Sequence, residues 1–92
     1  MKTIVLDGAR MTDLAAAHAY LKEKLGLPDY YGANLDALYD CLGELPRGVQ
    51  LVIVNESALL AALGEYGERL LATFRDAAAR PAAFLLTEEE QS

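Results

Sequence analysis

Leu27-Pro28-Asp29-Tyr30-Tyr31-Gly32-Ala33-Asn34-Leu35-Asp36-Ala37-Leu38-Tyr39-Asp40-Cys41-Leu42 is the stretch on which the fold turns. Residues 29–33 have neither helical nor strand period and read as a loop. Asn34 is a good N-cap, and Leu35, Leu38 and Leu42 then recur at helical spacing up to Gly43. A short helix is therefore expected over residues 35–42. Upstream, Leu14, His18, Leu21 and Leu25 keep helical spacing, Gly26 sits where a C-cap glycine belongs, and Pro28 is a stop. This predicts a helix over residues 13–25, with Thr12 as its N-cap and Asp13 in the first turn. Before it, Ile4-Val5-Leu6 runs into the turn signal Asp7-Gly8 and reads as a short strand covered on both faces.

Downstream, Pro46-Arg47-Gly48 is a turn. Residues 49–54 are apolar at every position but Gln50 and form the longest strand candidate. Asn55 or Ser57 caps a short helix ending near Gly64. Another helix is expected over residues 65–80, with Tyr66, Leu70, Leu71, Phe74, Ala77 and Ala78 on one face and Pro81 after it. Residues 82–86 read as a third strand and residues 87–92 as a polar tail, flexible and acidic over 88–92. Helices between every pair of strands imply right-handed parallel crossovers. The expected fold is a layered α/β domain over residues 1–92, a three-stranded parallel sheet packed by helices.

The composition narrows the function. A chain of 92 residues has room for one core and no separate cofactor domain. Lys plus Arg is 8 against 14 for Asp plus Glu, a net charge of −6. Direct nucleic-acid binding needs a basic patch and is not expected. Apolar residues make up 53%, too many for an intrinsically disordered chain. With one Cys there is no internal disulfide and no multi-thiolate zinc site, so no metal or cofactor is expected. The apolar start is too short for a signal peptide, and the longest apolar run, Ala58 to Leu63, is far below a membrane span. A cytoplasmic protein with no membrane contact is the expectation.

Charge distribution says more than its total. Between Lys24 and Arg47 there is no Lys or Arg, while Asp29, Asp36, Asp40 and Glu44 all lie there with Tyr30, Tyr31 and Tyr39. On the helix from Leu35, a step of about 100° per residue keeps Leu38, Tyr39 and Leu42 within about 60° of Leu35. Asp36 and Asp40 share the outer face, with Tyr39 at the border. A solvated polar face is the plain explanation. A sharper one is an acidic patch for a cationic partner, with tyrosines supplying contact area at low entropic cost. A paired-carboxylate acid/base site is a third, for which no cleft is evident. Asp76 falls on the outer face of the last helix beside Arg69 and reads as surface charge. His18 faces inward with no carboxylate or thiol at ligand spacing, and Cys41 reads as a small core residue with no partner base. Gly64-Glu65-Tyr66-Gly67 lacks the glycines and lysine of a phosphate loop.

Residues 27–42 closely resemble the signature of the barstar family of bacterial ribonuclease inhibitors. The similarity continues through Leu21-Lys22-Glu23-Lys24-Leu25 and Phe74-Arg75-Asp76-Ala77 at matching spacing, and residues 43–67 match least. The resemblance implies a sheet of order 1-2-3 and an intracellular inhibitor, monomeric when free, that plugs the active site of a small basic guanyl-specific ribonuclease. It implies a binding surface made of Tyr30, Tyr31, Gly32, Asn34, Leu35, Asp36, Tyr39 and Asp40. Asp40 would sit deepest, Tyr30 would pack on the catalytic end of the nuclease, and Asp76 would add a third acidic contact. Tyr39 stands where the family pattern has tryptophan, Asp76 where it has glutamate, and Ala33 where it has an acid. An immunity or interaction module for a different basic protein is the alternative.

Overall fold

The computed structural model describes residues 2–80 and 84–89. Strand β1 (Lys2–Asp7) leads through one 3-10 turn (Gly8–Arg10) into helix α1 (Leu14–Leu25), followed by α2 (Leu35–Gly43), β2 (Val49–Val54), α3 (Glu56–Leu63), α4 (Glu65–Ala78) and β3 (Leu85–Glu89). The three strands are parallel and ordered β1-β2-β3. This is the α/β layout expected from the alternation of strands and helices.

Both crossovers step the same way across the sheet. With the usual right-handed connection they must lie on the same face. Burial follows that rule. Ile4 and Leu6 align with Leu51 and Ile53, and Leu6, Leu51 and Ile53 join Leu21, Leu38, Leu42, Leu59, Leu70 and Phe74 in one buried cluster. The alternate residue Val5 is 45% exposed. The expectation that β1 is covered on both faces is therefore corrected: a sheet crossed on one side only leaves its edge strand half-bare.

The helix ends are set by short polar contacts. Asp13, not Thr12, caps α1, its Oδ1 accepting from Ala16 N at 2.8 Å. A carboxylate at that position also meets the positive end of the helix dipole. Asn55 stands at the start of α3 in the left-handed region (φ 56°) and makes no side-chain cap. Its amide instead donates to Asp7 Oδ1 at 2.9 Å, and Ala9 N donates to the same oxygen. Those two bonds, Asn55 first, hold the Asp7 carboxyl below its ordinary range. Gly8 is buried against the Asn55 carbonyl, where a Cβ would collide with backbone.

The third strand runs further than expected. Thr87, Glu88 and Glu89, which read as polar tail in the sequence, belong to β3. Arg75 Nη2 donates to Glu88 Oε1 at 2.6 Å and Nε donates to Oε2 at 3.0 Å, tying β3 to α4. That bidentate pair lowers the Glu88 carboxyl and raises Arg75. The pattern resembles a tail because a strand ending in acids carries no apolar period. Residues 82 and 83 of the expected strand, and residues 90–92 of the tail, lie outside the described residues.

Candidate protein-binding face

The loop before α2 is held from both ends. Tyr31 N donates to Pro28 O at 2.9 Å, closing a turn over Asp29 and Tyr30. Asn34 Oδ1 accepts from Ala37 N at 2.8 Å, and its amide donates back to Gly32 O at 3.2 Å. One side chain thus caps α2 and pins the loop. Ala33, between them, takes the left-handed conformation with φ 51°. Lys22 reaches Asp29 at 3.6 Å across exposed surface.

The two tyrosines of the loop differ. Tyr30 is 83% exposed. Tyr31 is half-buried, and its hydroxyl lies 2.6 Å from His18 Nδ1 on α1. The other nitrogen of His18, Nε2, lies 2.7 Å from the Tyr66 hydroxyl on α4. A neutral imidazole has one donor and one acceptor nitrogen, so the two phenols satisfy it completely. Burial lowers the His18 pKa. Burial, with smaller contributions from Tyr66 and Cys41, pushes the Tyr31 phenol up to about 12. Both shifts favour neutral groups and keep the network hydrogen-bonded.

On α2 the predicted division of faces is realised. Leu38 and Leu42 are buried, Leu35 and Tyr39 are half-buried, and Asp36 and Asp40 are exposed one turn apart. Asp76 is exposed on α4, which packs against α2. Among the described residues no cation lies within ion-pair distance of Asp36, Asp40 or Asp76. Two surface depressions, of about 450 and 310 Å³, are lined by neither Asp36 nor Asp40. The pair stands on an open face rather than in the desolvated cleft that an acid/base site requires. Cys41 packs partly against the core, and burial followed by Glu44 and Asp40 raises its thiol pKa away from nucleophilic use. Among the described residues no group of His, Cys, Asp and Glu could hold a metal ion.

Two relationships have no signal in the sequence. His18 is packed, as its helical position predicts, but its two phenolic partners lie 13 and 48 residues away and no local spacing announces them. Arg80 reads in the sequence only as the end of a helix. Its guanidinium carbon lies 5.1 Å from the centroid of the Tyr39 ring.

The family model described as "Barstar (barnase inhibitor)" matches residues 1–89 of this chain. A curated protein of Bacillus subtilis (strain 168), named "Putative ribonuclease inhibitor YrdF", is 40% identical over 78 residues, covering 84% of this chain and 86% of that protein.

Proposed function

The chain belongs to the barstar family, and on that premise we propose that it inhibits a small, basic, guanyl-specific ribonuclease by seating α2 and its preceding loop in the enzyme's active site. The family and the name of the relative support an inhibitor rather than an enzyme, and a ribonuclease as its partner.

One observation carries the finer reading. Asp36 and Asp40 stand exposed on a single face of a capped helix, without a cation of their own among the described residues, next to an 83% exposed Tyr30. A ribonuclease site is built to hold phosphate with Arg, Lys and His. A carboxylate can occupy such a phosphate subsite and take two parallel hydrogen bonds from one Arg. Because the helix is capped and the loop is pinned, little ordering is left for the moment of binding. Complementary charge also speeds encounter, which suits the capture of an enzyme that destroys cellular RNA. In this reading Asp40 enters deepest, Asp36 and Asp76 flank it, and Tyr30, Gly32, Asn34, Leu35 and Tyr39 supply the surrounding contact. Tyr31 acts mainly from beneath, through His18. The protein works as a monomer in the cytoplasm of the producing cell.

The test is RNA cleavage by purified guanyl-specific bacterial ribonucleases, the producing organism's own enzyme included, with and without an equimolar amount of this protein. Stoichiometric loss of cleavage is the expected result. A panel left fully active would overturn the reading, and capture of a basic protein that is not a nuclease would replace it.

A further inference from the structure

We propose that Arg80 is a specificity-determining residue of the acidic face, selecting ribonucleases that present a carboxylate opposite it; this rests on the proposed inhibitor reading. Arg80 lies just past the end of α4, four residues after Asp76. Its guanidinium covers the Tyr39 ring at 5.1 Å. It also lies across Gly43, where a Cβ would come within 2.6 Å of an Arg80 terminal nitrogen. The absence of a side chain at residue 43 is what lets the guanidinium settle there. The same position sets a cation at the C-terminal end of α2, which the helix dipole favours.

The charge is thus fixed in place by stacking and by the helix end, not by an acid. Among the described residues no carboxylate lies within ion-pair distance of Arg80, although Asp76 precedes it by one turn and Asp40 precedes Gly43 by three residues. Arg80 is exposed, so its remaining donors point to solvent or to a partner. A planar guanidinium held against an aromatic ring is preorganised to take a carboxylate bidentately. A partner that is cationic everywhere would face this charge at close range and be disfavoured. A partner with an acid at that point would gain a pair. One positive group in an otherwise acidic face therefore gives discrimination among basic ribonucleases by attraction and repulsion together.

The experiment uses the intact chain and its Arg80→Glu, Arg80→Gln and Arg80→Lys variants. Each is titrated against the ribonuclease that the wild type inhibits best in a panel of guanyl-specific enzymes including barnase, at low and at physiological salt. Arg80→Glu should weaken inhibition by about tenfold or more, Arg80→Gln by about threefold, and Arg80→Lys by less, with the differences shrinking as salt rises. Circular dichroism melts establish that each variant is folded, and Arg80→Gln tests the charge if Arg80→Glu is not. Inhibition by Arg80→Glu as tight as, or tighter than, the wild type would overturn the proposal while leaving the inhibitor reading intact. Wild-type protein that inhibits no enzyme of the panel would overturn both.

Discussion

The hydroxyl of Tyr31 lies 2.6 Å from Nδ1 of His18, so the loop that carries the exposed Tyr30 is tied to a buried imidazole on α1. Through Nε2 the same imidazole reaches Tyr66 on α4. Loop position is thereby coupled to the packing of two helices.

Removing the Tyr31 hydroxyl leaves one nitrogen of a buried His18 without its partner. Tyr31→Phe should lose about 1–3 kcal/mol of stability, the penalty for an unsatisfied buried polar group. Urea unfolding of the two proteins at pH 7 measures it. An unchanged midpoint would show that the bond contributes nothing.

The same network sets two pH limits of opposite origin. Burial lowers the His18 pKa from 6.5, so below pH 6.5 the unfolded chain binds the proton more readily and stability falls as pH falls through the folded-state pKa. Tyr31 is raised from 10.0 to about 12, so the unfolded chain ionises first and stability falls as pH rises between those values. Unfolding free energies measured from about pH 4.5 to 7 and from about pH 9 to 12 should show both slopes. Tyr31→Phe should flatten the alkaline one, allowing for the other tyrosines.

Binding should be unequally shared among the acids. Asp40→Ala should weaken ribonuclease binding by about 2 kcal/mol or more, as for a central desolvated contact, and Asp76→Ala by under about 1 kcal/mol, as for a rim charge. Inhibition titrations measure both. Equal losses would refute the order assigned to them.

Glu88 links β3 to α4 through Arg75, whose side chain is 53% exposed. Solvent screening limits such a pair, and Glu88→Gln should lower stability by about 1 kcal/mol. For a domain of this size that is a fall in Tm of about 4–8 °C. A thermal melt that does not move would return Glu88 to the role of a solvated end group.

Ala33 holds a left-handed backbone with φ 51° immediately before the Asn34 cap. A side chain there is strained, and glycine is not. Ala33→Gly should raise stability by a few tenths to about 1 kcal/mol, read as a higher urea midpoint.

Local order is legible from the residues alone. The Asn34 cap, the leucines at 35, 38 and 42, the Gly26 stop and the apolar run over residues 49–54 settle α2, the end of α1 and β2, because caps and periods act over a few residues. The outward aspartates follow from the same period. Where expectation and structure part, the competing contact is distant. Asn55 gives up its cap for Asp7, 48 residues away. Acids with the look of a tail become a strand because Val52, Ile53 and Val54 pair with residues 87–89 and Arg75 neutralises one of the acids. One-sided crossovers bare Val5.

Sequence by itself determined the elements, the fold class and the acidic face of α2, all consequences of short-range capping and periodic burial. Only the tertiary structure decided what holds that face and what interrupts its charge. His18 gains both phenols, and Arg80 gains the Tyr39 ring, from how α1, the loop, α2 and α4 pack together. Contacts between residues far apart in the chain have no spacing to betray them; they exist only once burial of the shared core has brought the helices together.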